Sequence, residues 1–344
     1  MIRPNAEPDD ADQAPSALTV VVSRGQSRHP DKRGLEQAVV DAVGQITDVQ
    51  VLSVPHLYDL KKDSESFERL RDVEGDLLLV SWIFPRAAHW VLDRNGIRGQ
   101  SVPLADDEDL EVDDNPLDAS DVADSPPDDE TSEPRVSQLY PRPDRRIGCV
   151  DLKTDGDRDA VMRRIAAFCS SAVADEDSAE NSTVAPVQVE ETTARRWYPV
   201  IDFDKCTNCM ECVDFCLFGV YGLDGQETIL VEQPDNCRKG CPACSRVCPA
   251  NAIIFPQHKA PAIAGATDQG DEGFKIDLSQ LFGKPADADD PIATAARERD
   301  EQLLLTGQQA RGIDDQLARR QTERSDVAKD PLDRLIDQLD AVDL

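Results

Sequence analysis

Aromatic residues and positive charge are both scarce in this sequence. Phe, Trp and Tyr make up 5% of the 344 residues, and 37 Lys and Arg face 68 Asp and Glu, for a formal net charge of −31. Long parts of such a chain have the composition of disordered protein. Because nucleic acid binds proteins through positive charge, we expect no nucleic-acid partner, and we expect partner proteins to present basic docking surfaces.

Long apolar runs are missing as well. No run reaches the about 18 apolar residues that a membrane-spanning helix needs, so we expect no membrane span. Residues 1–16 contain no apolar core of the kind found in secretory signals. We therefore expect a cytoplasmic protein, in which thiols stay reduced. In that compartment, clustered cysteines bind metal or perform redox chemistry more often than they form disulfides.

Nucleotide-binding and catalytic motifs are a third absence. Neither G-x-G-x-x-G nor G-x4-G-K-[ST] occurs, and we identify no nucleophile–base pair and hence no catalytic residue. The loop after the first predicted strand could cradle a phosphate through Ser23, Gly25 and Ser27, a position slightly similar to the phosphate loop of flavodoxins. An ordinary polar loop is the favoured interpretation of this stretch.

Residues 17–172 alternate between short apolar runs and segments of helical periodicity. Four runs predict buried strands: ALTVVV (17–22), VQVLSV (49–54), DLLLVSWI (76–83) and IGCVDL (147–152). Helices are predicted at 33–44, at 64–72, from Pro85 to Gly96, and after the fourth strand, where one stripe holds Val161, Ile165, Phe168 and Cys169. This alternation predicts an α/β domain with a parallel sheet and flanking helices, in which Cys149 and Cys169 are buried, inert thiols.

Acidic and polar segments separate and flank the ordered parts. Between Pro103 and Pro134 the chain has fourteen Asp or Glu and no Lys or Arg, which predicts a disordered insertion at 103–135 because such a block repels itself. The remaining segments of this kind are a disordered lead (1–16), a linker (173–195) and an acidic, largely disordered tail (259–344).

The end of the tail has a helical pattern. Asp330 and Pro331 offer an N-cap and a first-turn proline, and the apolar side chains that follow fall at i, i+3, i+4 and i+7. They predict an amphipathic helix at 331–343. Packing on its own chain is the favoured interpretation, and a partner-binding helix is the alternative.

Eight of the ten cysteines lie in two short motifs. The first has the spacing C-x2-C-x2-C-x3-C, and the second has C-x3-C-x2-C-x3-C-P. Three closely spaced thiolates can hold three corners of one iron–sulfur cubane, while the fourth reaches across to another cluster. Zinc is the rival metal because its thiolate sites also use C-x2-C, but such sites usually combine two separate close pairs. Two triplets with a trailing fourth cysteine favour the cubane.

Residues 196–258, the cysteine segment, resemble bacterial-type ferredoxins that bind two [4Fe–4S] clusters in a small α+β domain. The resemblance implies one cluster on Cys206, Cys209, Cys212 and Cys248, and the other on Cys237, Cys241, Cys244 and Cys216. It also implies that the apolar stretches after the two motifs, LFGVYGL and PANAIIF, pair as short strands. The segment departs from the family at the extra residue before Cys241, which Gly240 accommodates, and at Leu217, where proline is usual.

Charge is distributed unequally between the two motifs. The residues that flank the first are acidic: Asp202, Asp204, Glu211 and Asp214. Those inside the second are basic: Arg238, Lys239 and Arg246. Because reduction adds negative charge to a cluster, we hypothesise that the cluster headed by the second motif has the higher potential, by about 40 mV for about 1 kcal/mol of interaction.

Two functions from different classes agree with these features. The favoured one is an electron carrier that passes single electrons through two [4Fe–4S] clusters, with the α/β domain used for docking or regulation. The alternative is an iron–sulfur subunit of a catalytic oxidoreductase that holds a flavin or nucleotide in the α/β domain.

Overall fold

A computed structural model describes residues 18–104, 136, 142–172, 185–266 and 291–312. The predicted lead, nearly all of the acidic insertion and the C-terminal amphipathic helix lie outside the described residues. Within these ranges, no helix has the length and apolar character needed to cross a membrane.

A six-stranded parallel sheet forms the centre of the first part of the chain. Its strands are β1 (Leu18–Ser23), β2 (Val49–Val54), β3 (Leu77–Ser81), β4 (Gln100–Val102), β5 (Arg146–Asp151) and β6 (Val187–Gln188). They lie in the order β4-β5-β3-β1-β2-β6, and every neighbouring pair is parallel. The predicted α/β class is therefore confirmed.

Among the residues that the structure describes, the α-helices next to this sheet are α1 (Pro30–Val43), α2 (Glu65–Arg71), α3 (Pro85–Arg94), α4 (Leu152–Asp155) and α5 (Arg158–Ala172). Side chains alternate across the strands, so Val20 and Val22 pack in the core with α1 and α5, while Val21 packs in the core with α2 and α3. Both faces of the sheet are therefore covered.

Two short strands of the sheet have no counterpart among the predicted ones. β4 is a three-residue edge strand, and β6 lies inside 173–195, which was predicted to be only a linker. That prediction was wrong at this point, since Val187 pairs with Leu52 and Gln188 with Ser53. A two-residue exposed edge strand has no periodicity to detect, because its order comes from the backbone of β2.

Four strands form two small antiparallel sheets in the cysteine segment: β7 (Val200–Ile201), β8 (Tyr221–Leu223), β9 (Ile229–Val231) and β10 (Ile253–Ile254). β8 pairs with β9, and β10 pairs with β7. The expectation that the two apolar stretches after the motifs pair with each other was wrong. Each pairs instead with the strand that leads into the other motif. For β8 and β9 the connecting loop is short, so closing it costs little chain entropy.

The described residues contain four further α-helices, α6 (Glu211–Phe215), α7 (Ala243–Val247), α8 (Pro261–Ala264) and α9 (Pro291–Leu305), and two short 3-10 helices, Leu57–Asp59 and Pro234–Asn236. Both α8 and α9 lie in the region that was predicted to be a largely disordered tail, and that prediction was wrong for these residues. α9 buries small side chains, Ala295 and Ala296, together with Leu303. Alanine contributes little to an apolar pattern, which explains why the sequence did not indicate a packed helix.

The cysteine segment shares a core with the sheet. Tyr198, Val200 and Ile254 belong to the same buried cluster as the side chains of α3. The rings of Tyr58 and Tyr198 stack at 4.2 Å, and the Tyr198 hydroxyl donates to the Tyr58 carbonyl at 3.1 Å. In return, the Tyr58 hydroxyl donates to the Tyr198 carbonyl. The α/β unit therefore positions the cysteine segment directly.

Candidate metal centre

The clustered cysteines lie in two groups of four, each with one member from the other motif. Site 1 comprises Cys206, Cys209, Cys212 and Cys248. Site 2 comprises Cys237, Cys241, Cys244 and Cys216. That each group holds one cluster stays a prediction of the resemblance. Cys149 and Cys169 join neither group.

The cysteines of each site lie close enough to affect the pKa of one another. Burial, followed by the charges of Cys248 and Cys209, raises the pKa of Cys206 to about 11. Burial also raises the pKa of Cys241 to about 11, and the charge of Cys216 adds to it. Because metals bind thiolates, loading either site with metal would release the protons of these thiols.

The two motifs repeat the same local structure around their last two cysteines. α6 carries Cys212 and α7 carries Cys244, and each helix ends at the fourth cysteine of its motif. The backbone N–H of Cys216 donates to the Cys212 carbonyl at 3.1 Å, and that of Cys248 donates to the Cys244 carbonyl at 3.2 Å. The fourth cysteine thus leaves the helix in an extended conformation. The extended backbone directs the fourth cysteine away from the three other cysteines of its motif.

The extra residue of the second motif is absorbed at Gly240. Its φ of +87° lies in the left-handed region, which glycine enters without the steric cost that a Cβ would add. The loop from Cys237 to Cys241 therefore turns within one additional residue, and both cysteines still reach site 2.

All four cysteines of site 2 line one small cavity. Its other lining residues are mainly apolar or aromatic, and they include Phe215, Phe218 and Tyr221, together with the guanidinium of Arg299. Four thiols around one small cavity fit an iron–sulfur cubane, whose thiolates lie apart because each binds a different iron.

A single metal ion has a different requirement. It would draw four thiolates to within roughly 3.8 Å of one another, given Zn–S bonds of about 2.3 Å in a tetrahedron. In the part of the chain that the structure describes, no group of three or more His, Cys, Asp or Glu side chains is arranged to hold one ion.

Hydrogen bonds reach the sulfur atoms and the loops that carry them. The Tyr221 hydroxyl donates to Cys244 Sγ at 3.1 Å, and the Ala252 N–H donates to Cys248 Sγ at 3.2 Å. Trp197 Nε1 donates to the Cys241 carbonyl at 3.1 Å. Donors aimed at sulfur stabilise the thiolate that a metal needs. The sequence did not indicate Tyr221 or Trp197, which lie outside the motifs.

The loop that opens site 1 is fixed by α3. Arg86 Nε lies 2.6 Å from Asp202 Oδ2, and both side chains are buried, at 10% and 4% exposure. The other oxygen, Asp202 Oδ1, accepts from the backbone N–H of Asp204 at 3.0 Å and of Lys205 at 3.2 Å. The Asp202 carbonyl accepts from the Cys206 N–H at 2.9 Å. An arginine of the α/β unit thus orders the first ligand loop.

The polar loop after β1 does not form an open phosphate cradle. Ser23 Oγ is buried and accepts from the Leu57 N–H at 2.9 Å, while the Gly25 N–H donates to Glu36 Oε1 at 2.7 Å. Ser27 Oγ accepts from the His29 N–H at 3.2 Å. The Glu36 carboxylate therefore occupies the Gly25 amide that a phosphate would need.

The two cysteines outside the motifs are shielded. Burial raises the pKa of Cys149 to about 12 and also raises the pKa of the half-buried Cys169. Both therefore remain protonated thiols of low reactivity at neutral pH.

Sequence comparison identifies the class of protein. A ferredoxin of Methanothermococcus thermolithotrophicus is 38% identical over 59 residues, which are 95% of that protein and 17% of this chain. The chain therefore belongs to the ferredoxin family, through a segment of about a fifth of its length.

Two further relatives are longer. An uncharacterized ferredoxin of Methanocaldococcus jannaschii is 46% identical over 66 residues, 19% of this chain and 44% of the relative, so the chain spans less than half of that protein. The pyruvate synthase subunit PorD of the same organism is 38% identical over 61 residues, which are 18% of this chain and 69% of the subunit. No family model and no solved structure matches the chain.

Proposed function

We propose that this protein is an electron carrier that holds one [4Fe–4S] cluster at site 1 and another at site 2. The observation that supports the proposal is that Cys216 lies near Cys241 of the second motif and Cys248 lies near Cys206 of the first. Each cluster, when bound, would take up and release one electron at a time. The ferredoxin relatives support the iron–sulfur chemistry.

The protein's own residues would hold and shield these clusters. The cysteine thiolates supply the ligands, and the donors Tyr221 and Ala252 stabilise two of them. Phe215 and Phe218 line site 2 and limit the access of water. The α/β unit orders the first ligand loop through Arg86. We propose that its remaining surface serves docking or regulation, with partners that present basic surfaces to this acidic chain.

Metal and sulfide analysis of the full chain, purified without oxygen, tests this proposal. We expect equal iron and acid-labile sulfide, with the iron divided between two clusters that appear as two one-electron steps by EPR. The visible spectrum should show a broad band near about 400 nm without flavin features. Bound zinc with no sulfide would contradict the proposal.

A second candidate is an iron–sulfur subunit of a larger oxidoreductase. The similarity to subunits of pyruvate synthase favours it, whereas the occupied Ser23–Gly25 loop gives no support to a flavin or nucleotide within this chain. Anaerobic affinity capture from native cells separates the two candidates. An electron carrier should dissociate from its partner proteins at moderate salt concentration. A subunit should co-purify with the other subunits of its enzyme in a fixed ratio.

A further inference from the structure

Site 2 is covered by a helix from outside the cysteine segment. Residues 267–290, which the structure does not describe, separate this helix, α9, from the segment, yet it packs against α7. Ala295 and Ile292 contact the apolar cluster that contains Phe215 and Cys241. Glu298 accepts from Arg246 of α7 at 2.8 Å. An apolar contact and an ion pair thus fix α9 beside site 2.

This packing places Arg299 at the cavity. The side chain is buried, at 7% exposure, and its guanidinium carbon lies 4.5 Å from the centre of the Phe215 ring. It belongs to the lining of the cavity together with the four cysteines. Among the described lining residues, Arg299 carries the only charge besides those of the thiolates.

The guanidinium is held in place from the side of α9. Arg299 Nε and Nη2 donate to Asp300 Oδ1 at 3.1 and 3.0 Å, and Nη2 also donates to the Gly312 carbonyl. Asp300 Oδ2 in turn accepts from the Gly312 N–H at 2.6 Å. Asp300 partly balances the positive charge, but it is not among the described residues that line the cavity.

We propose that Arg299 is an electrostatic positioning residue of site 2, which favours the reduced form of the cluster that the proposed function places there. A reduced cluster carries one more negative charge, and a buried guanidinium at the cavity wall stabilises that charge more than an exposed cation does. α9 therefore raises the potential of site 2 from a distant part of the chain, and it leaves site 1 unchanged.

An EPR-monitored redox titration of the full chain tests this inference. Arg299→Gln should shift the balance of one cluster toward its oxidised form by about tenfold, which is about 59 mV downward for one electron, while the other potential stays constant. Arg297→Gln is the matched control, because it removes the same charge from an exposed position of α9. We expect no change of either potential in this control.

Asp300→Asn keeps Arg299 and weakens its counter-charge, so it should raise the same potential. This variant decides the question if Arg299→Gln fails to load site 2. Unchanged potentials in both variants, at full iron content, would overturn the role of Arg299, as would an equal shift in Arg297→Gln. Iron and sulfide content are measured on the same samples. A chain that lacks two clusters would refute the proposed function, whereas loaded variants with wild-type potentials would refute only the inference.

Discussion

Sites 1 and 2 are built by the same local sequence pattern, yet they are supported by different parts of the molecule. The loop of site 1 is tied to α3 by the buried pair of Arg86 and Asp202. Site 2 is covered by α9, which brings Arg299 to its cavity. Both sites thus have an arginine–aspartate pair beside them. At site 1 the arginine acts on the ligand loop through Asp202, whereas at site 2 Arg299 itself lines the cavity. The comparison shows that a repeated motif sets the ligand geometry, while distant residues set the electrostatic environment of each site.

The largest expected effect is the loss of one cluster when the fourth cysteine of a motif is replaced. Cys248→Ser should remove the cluster at site 1 although the residue belongs to the second motif, and Cys216→Ser should remove the one at site 2. Each variant should lose half of the bound iron and one of the two EPR signals. Cys149→Ser is the control and should keep all iron. If the lost signal in each variant were that of its own motif, the assignment of the two sites would fail.

The next effect concerns the anchor of site 1. Arg86→Ala leaves the buried Asp202 carboxylate without its partner, so we expect a loss of about 3–5 kcal/mol in the free energy of unfolding. The cluster at site 1 should also be lost faster to a chelator than that at site 2. Denaturant unfolding and the time course of bleaching measure the two effects.

Arg69→Ala provides the matched control for Arg86. It breaks an ion pair with Glu65 that lies half in solvent, at 51% and 55% exposure, so it should cost only about 0.3–0.5 kcal/mol. Equal bleaching of the two sites in Arg86→Ala would show that the anchor does not act on site 1 in particular.

A smaller effect tests the charge difference between the motifs. Arg238→Gln combined with Lys239→Gln removes two exposed cations beside Cys237, and the potential of site 2 should fall by at most about 40 mV. Raising the salt concentration should reduce the difference from wild type, because exposed charges are screened. An unchanged potential at low salt would contradict the hypothesis that these cations raise the potential of site 2.

The smallest effect concerns one hydrogen bond at site 2. Tyr221→Phe removes the donor to Cys244 Sγ and should lower the potential of that site by about 18 mV, which corresponds to a twofold change in the redox balance. Tyr140→Phe, outside the described residues, offers a comparison of the same chemical change. If the potential of site 1 fell instead, the assignment of the Tyr221 hydroxyl to site 2 would be wrong.

Much of the fold follows from local pattern. β2 has the predicted bounds, and α3 begins at Pro85 as expected, because apolar runs and helix-start signals act within a few residues. The stripe of α5 is buried at Val161, Ile165 and Phe168. β6 and α9 were not predicted as ordered elements, since each is stabilised by contacts with elements far along the chain rather than by a strong apolar pattern of its own.

The sequence by itself determined which cysteines are the candidate ligands. Cysteine spacing reports directly on metal chemistry, because three of the four cysteines of each site lie within a few residues of one another. Only the tertiary structure decided which side chains surround each site. Arg86 precedes the cysteine segment and Arg299 follows it. Neither carries a local signal, because the sequence does not distinguish a buried arginine from an exposed one. Their partners, and therefore the different positions of the two arginines relative to the cysteines, exist only after the chain has packed.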